Sequence, residues 1–327
     1  MSLEIGHTFI VPRLLLLGIV GLLLGGSPAA GRGEVLAPLS ISFFNTRDGI
    51  ASFIAWHSCG PSVRCRGAIE TTRDGGRSWT IRRVGAVVRS VEAVPGTREA
   101  WAALEPVKSC GTRLPSNCPT TLLNSVDGGA TWTRTGAYVT APAFADAQHG
   151  FGVRGAKLVA TSDGGKTWRL LGGPCRRFDG ASVSFVSATR GWLLCAGGGA
   201  MGAQPKTLYE TRDGGHHWTL VMKTTFTRHT RGALPLFGYP GGLDFVDART
   251  AWIGEARGDL YATGDGGRTW RSLRITSPDV VEAESTSLLA PGIGFVLLRN
   301  GAAGRYELRL TRDGGRTFGL VRTWPIE

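Results

Sequence analysis

Hydrophobic and polar positions alternate along this chain in short stretches, and Gly, Asp, Arg or Pro closes each stretch within a strand's length. Leu208-Tyr-Glu-Thr211 and Leu260-Tyr-Ala-Thr263 show the period of two that predicts half-buried β-strands. The exception is the start. Arg13 precedes an apolar run from Leu14 to Leu24, and the small residues Gly25 to Ala30 follow it. This order of charge, apolar run and small residues predicts a secretory signal peptide over 1–30, with an uncleaved anchor as the alternative. The run falls short of the ~20 residues of a membrane-spanning helix. No cysteine follows it to take a lipid. Residues 31–327 are then expected to form one all-β domain.

The strands are organised by a repeat. One octapeptide occurs six times, beginning at Thr72, Ser125, Thr161, Thr211, Thr263 and Thr311, with the pattern Thr-x-Asp-Gly-Gly-x-Thr-Trp. Its aspartates are Asp74, Asp127, Asp163, Asp213, Asp265 and Asp313, at spacings of 53, 36, 50, 52 and 48 residues. These spacings suit four-stranded propeller blades. The Gly-Gly pair supplies the positive φ of a tight hairpin, the carboxylate accepts backbone N–H groups across it, and the aromatic residue packs between sheets. The six aspartates and Trp79, Trp132, Trp168, Trp218 and Trp270 are therefore read as structural. His216 and His217 are read as a variant of the same turn.

A second, weaker element precedes each box. It is clearest in Phe144-Ala-Asp-Ala-Gln-His-Gly150, Phe185-Val-Ser-Ala-Thr-Arg-Gly-Trp192 and Phe245-Val-Asp-Ala-Arg-Thr-Ala-Trp252. It fits the turn between a blade's first and second strands. Six units in phase predict a six-bladed β-propeller of four-stranded antiparallel blades. A seventh blade built from residues 31–40 and tail strands is the alternative.

The octapeptides resemble the Asp-box, or BNR, repeats of sialidases, xyloglucan-cleaving glycosidases, sortilin-type receptors and photosystem II assembly and stability factors. Together with the Phe-x-Asp-x-x-x-Gly-Trp element they are most similar to the assembly-factor type. That resemblance covers nearly all of residues 40–320 and implies an extracytoplasmic propeller without known catalysis. A sialidase would carry three arginines from different blades, a tyrosine activated by a glutamate, and an Arg-Ile-Pro motif in the first strand. Here that strand reads Pro38-Leu-Ser-Ile-Ser-Phe-Phe44, so the motif is missing. Tyr209, Tyr261 and Tyr306 lie in strands that feed boxes and are expected in the core. Tyr138 and Tyr239 are the conceivable nucleophiles. Fold does not decide among these functions.

Charge and cysteines refine this picture. The formal net charge is +12, which favours anionic partners: acidic headgroups, envelope polymers or an acidic protein face. Only five of the 37 basic residues are Lys, so the excess of Arg also fits a GC-rich genome. Nucleic acid is excluded as a partner by the predicted export. The six cysteines Cys59, Cys65, Cys110, Cys118, Cys175 and Cys195 are an even number in an exported chain and predict disulfides. Pairing of neighbours is preferred among fifteen connectivities because each such pair brackets one loop. No C-x2-C pair, H-E-x-x-H, P-loop, G-x-S-x-G or EF-hand sequence is present, so no metal site, cofactor or catalytic set is expected.

Strand parity locates the candidate surface. Connections after strands two and four emerge on one face and the boxes on the other. The segments that exceed a minimal blade, 57–66, 105–119, 195–206 and 222–242, all fall on the first face. Met222 to Gly242 mixes cations and aromatics, and Lys223, Phe226, Arg228, Arg231, Phe237 and Tyr239 are the expected contact residues, with Arg176 and Arg177 adding to the patch. The sequence thus predicts a monomeric, secreted or membrane-held binding module for a membrane or envelope protein. A sialidase-like glycoside hydrolase is the alternative, and polyanion or envelope binding is the third.

Overall fold

The computed structural model describes residues 36–55, 66–104, 121–135, 139–154, 157–175, 180–228, 230–256, 259–273, 275 and 281–326. The leader 1–30, Tyr138, Arg176, Arg177, and the cysteines at 59, 65, 110 and 118 lie outside them.

The described residues form six four-stranded antiparallel sheets, each contiguous in sequence and paired in simple up-and-down order. The blades span 37–85, 88–134, 140–170, 180–224, 239–273 and 281–325. Six blades, and not seven, close the ring. The innermost strands are Ala37–Phe43, Val88–Ala93, Thr140–Phe144, Gly180–Phe185, Tyr239–Phe245 and Val281–Ala290.

Each box builds its hairpin the same way. In the first, the Thr72 hydroxyl donates to Asp74 Oδ1 at 2.9 Å and accepts the Gly76 N–H at 2.9 Å. Asp74 also accepts the N–H and hydroxyl of Ser78, at 2.9 and 2.6 Å. The two glycines have φ of 75° and 90°, where a side chain would be strained. A Cβ on Gly76 would also strike Leu308 of the neighbouring blade. The two recurring sequence elements meet at this point. The first box glycine donates to a carbonyl of its blade's first turn in all six blades, as in Gly75 to Arg47 at 2.8 Å and Gly214 to Thr189 at 2.8 Å.

Aromatic rings and serine hydroxyls join neighbouring blades. A second-strand ring stacks on the first-strand ring of the next blade: Trp101 on Phe144 at 3.5 Å, Trp192 on Phe245 at 3.8 Å, and Phe295 on Phe43 at 3.6 Å across the closure. Nearer the axis, Ser42 accepts the N–H of Ala93, Ser184 that of Phe245 and Ser287 that of Phe43, each at 2.9 Å. Each first strand pairs on one side with the second strand of its own blade, and these amides point from its unpaired inner edge, so the hydroxyls satisfy donors that no sheet partner reaches. The ring is therefore closed by side chains from blade 6 to blade 1, not by a strand shared between the chain ends.

Candidate functional site

Two places in this scaffold gather chemistry: the connections around blades 4 and 5, and the axial cavity.

The first comprises the connections 197–205 and 225–238, which lie within the excess segments 195–206 and 222–242. Among the expected contacts, Lys223, Phe226, Arg228, Arg231 and Phe237 are exposed, and Tyr239 is half-buried. The outer part of the longer connection is a small hairpin. Thr230 N–H donates to the Lys223 carbonyl at 2.8 Å, and the tip is closed by Thr225, whose hydroxyl donates to the Arg228 carbonyl at 3.0 Å. The inner part leans on the shorter connection. Gly238 N–H donates to Gly202 O, and Gln204 N–H to Leu236 O, both at 2.8 Å. The Tyr239 hydroxyl accepts the Gly202 N–H at 3.1 Å, which makes Tyr239 a brace for the turn.

Lys206 holds this assembly together, and no local pattern in the sequence marks it out. Its side chain is fully buried, and its ammonium donates to the carbonyls of Pro235 at 2.7 Å and Gly238 at 2.9 Å, with Leu236 and Phe237 at 3.3 Å. Glu255, also fully buried, lies 3.2 Å away. Burial raises the Glu255 carboxyl to about 7 against the pull of the Lys206 ammonium. A buried cation whose donors all have acceptors is a fixed point, because moving the loop would strand the charge. Gly238, at φ 96°, leaves the space that the Glu255 carboxylate fills. One further tie is covalent. Cys175 and Cys195 form a disulfide with Cα atoms 5.4 Å apart, linking the lead-in to blade 4 with its second strand.

The axial cavity has a volume of about 490 Å³ and is lined by all six innermost strands. Equivalent positions around the axis are Ser42, Glu92, Ala143, Ser184, Asp244 and Ser287, each one residue before the first-strand ring or its substitute. Asp244 serves like the serines: its Oδ2 accepts the Leu288 N–H at 2.6 Å. Glu92 departs from them and faces Asp244 from the opposite side of the ring. Burial first, and the Asp244 charge second, push Glu92 up to about 8. Burial raises Asp244 to about 6, against hydrogen bonds from Leu288 and Thr286. Glu284 and Arg89 also line the cavity. Among the described residues no group of His, Cys, Asp or Glu is arranged to hold a metal ion.

The box aspartates sit on the opposite face with their acceptors occupied. Hydrogen bonds from the Ser or Thr hydroxyl four residues on lower Asp74, Asp127 and Asp163 to about 2. In the fourth box His217 takes the place of that Thr, its N–H and Nδ1 reaching Asp213 at 2.9 and 2.6 Å.

Six sheets, six such boxes and the paired first turns decide the fold and its repeat type. The chain is an Asp-box, BNR-repeat β-propeller. Residues 134–273, 140 of 327, match the family model described as photosynthesis system II assembly factor YCF48. Among solved structures, a GH74 xyloglucanase from Xanthomonas campestris is 15% identical with a TM-score of 0.55, over 88% of this chain and 45% of that one. A Hadza microbial sialidase is 15% identical with a TM-score of 0.51, over 89% of this chain and 66% of that one. YCF48 bound to D1 peptide is 14% identical with a TM-score of 0.48, over 86% of this chain and 94% of that one. At these identities the likeness is one of fold. No curated protein matches in sequence.

Proposed function

We propose that this propeller is an extracytoplasmic, non-catalytic binding module that holds a membrane or envelope protein during assembly through its loop face. The observation that carries the proposal is the anchored pair of connections. Lys206 fixes a platform that presents Lys223, Phe226, Arg228, Arg231 and Phe237 to solvent, and rigid presentation lowers the ordering cost of binding. The family model over residues 134–273 is that of an assembly factor, and a disulfide suits an oxidising compartment. Arg176 and Arg177 follow Cys175 directly in sequence and are proposed to extend the same patch.

A pull-down from membrane and envelope extract tests this, with the domain from residue 31 onward beside an Arg228→Ala/Arg231→Ala variant. One membrane protein captured by the wild type and lost by the variant supports the reading. Equal capture, or none by either, contradicts it. Binding that falls steeply with salt and has no protein specificity would instead point to polyanion binding.

The axial cavity favours a second reading. Two carboxyl groups with pKa values pushed apart, Glu92 and Asp244, are what a glycoside hydrolase uses as acid and base. Two features weigh against it: Asp244 already accepts a backbone N–H, and among the described residues Arg89 is the one arginine lining the cavity, where a sialidase uses three. Hydrolysis of a fluorogenic glycoside that Glu92→Gln abolishes would establish the enzyme. Absence of turnover across such a panel would remove this reading.

A further inference from the structure

The shorter connection ends in a hairpin whose tip is chemically out of place. Ala200 and Ala203 exchange both backbone hydrogen bonds, at 2.8 and 2.9 Å, leaving Met201 and Gly202 as a two-residue turn. Their φ values are 52° and 87°. Positive φ at both positions is the type I′ turn, for which Asn, Asp or Gly is the favoured first residue. Methionine is disfavoured there, because a side chain in the left-handed region crowds its own carbonyl. Met201 is the one residue other than glycine with positive φ among the described residues. Nor does its side chain repay the strain by packing, since it is 98% exposed.

Phe237 is brought to the same tip from the other connection. It bridges to Ala203, and its ring covers Gly202 so closely that a Cβ there would sit 2.8 Å from a ring carbon. The ring is nonetheless 57% exposed. Two large apolar residues from separate connections thus meet solvent at one backbone-held tip, Phe237 over Gly202 and Met201 next to Gly202 in sequence, the methionine in a strained conformation that folding does not need. Strain kept without a structural return marks a position held for contact.

We propose that Met201 and Phe237 form the apolar centre of a docking surface for an acidic segment of a partner protein, with Lys223, Arg228 and Arg231 as its cationic rim. The proposal rests on the binding role argued above and specifies the partner's chemistry. Charge selects the occupant: from Lys223 to Tyr239 the chain contains no Asp or Glu, and residues 196–205 carry no charge at all. Methionine, aromatics and arginine are the types enriched at protein interfaces, and a rigid two-residue tip buries little in a lipid surface compared with an amphipathic helix.

The test uses peptides selected from a random display library on the full propeller, with vesicles of phosphatidylglycerol as a separate arm. The expected consensus is one or more large apolar residues flanked by Asp or Glu. Met201→Asn and Phe237→Ser are each expected to weaken that peptide by about tenfold or more, the loss typical of a central interface residue. Met201→Asn separates contact from folding, because asparagine suits the turn: its Tm should equal or exceed that of the wild type. A missing consensus, one without acidic residues, unchanged affinity in both variants, or stronger binding to vesicles than to peptide overturns the proposal. If Met201→Asn/Phe237→Ser still captures the membrane protein that Arg228→Ala/Arg231→Ala loses, the binding module stands and this surface falls.

Discussion

At Asp74, Asp127 and Asp163 the hydroxyl and N–H donors hold the carboxylate ionised down to about pH 2, below its ordinary 3.8. The unfolded chain takes up these protons first, so the stabilisation is in force above about pH 4 and is lost as pH falls through 2. Glu92 works in the other direction. Its folded pKa of about 8 lies above the ordinary 4.5, so its contribution is complete below 4.5 and is lost as pH rises through 8. Tm is therefore expected to peak near pH 4 to 5, and Glu92→Gln should flatten the fall on the alkaline side. A wild-type Tm that climbs steadily from pH 5 to 8 would contradict this. The box residues are legible in the sequence because each repeats six times. Glu92 and Asp244 are not, since a first strand shows which residues face inward without showing what stands across the axis. The Ser-x-Ser steps, Ser40 and Ser42, Ser182 and Ser184, Ser285 and Ser287, were a signal available in the sequence for the stitched inner ring.

Among elements, the connection between blades 4 and 5 departs most from what its sequence suggests. Alternating cations and aromatics mark a surface loop, and its exposed side chains agree with that. Its rigidity comes from Lys206, a lone lysine at a strand start that no local pattern distinguishes from a solvated one; only the tertiary fold places four carbonyls and Glu255 around it. Lys206→Met should destabilise by about 3–5 kcal/mol, because it leaves Glu255 buried without its partner. The double variant Lys206→Met/Glu255→Leu should recover much of that in denaturant unfolding, although the connection will be looser. A single variant as stable as wild type would remove the anchor from the account. The Cys175–Cys195 bridge closes a loop of about twenty residues, and its removal should cost about 3 kcal/mol by loop entropy.

For the whole molecule, the boxes and the first-turn element in phase with them point to six blades, with a seventh left open, but they say nothing of the manner of closure. Sequence repeats report what each blade shares, whereas closure depends on two segments at opposite ends of the chain. Phe43 and Phe295 stack there, and the Phe43 N–H donates to Ser287. Ser287→Ala leaves that amide unpaired and should cost about 1–3 kcal/mol. Its signature is faster amide exchange at Phe43 than in wild type, with Phe245, held by Ser184, unchanged; equal change at both would mean the junctions do not act locally. Parity sends the connections out on the face opposite the boxes, although the longer one folds back far enough for Gly232 to accept the Trp270 N–H of the fifth box at 2.8 Å. The most direct measurement is photo-crosslinking in envelope extract from a probe at Arg231, beside one at Arg316 in the sixth box. The account predicts an adduct with one membrane protein from position 231 and none from 316. Equal adducts from both, or an adduct from 316 alone, would contradict it.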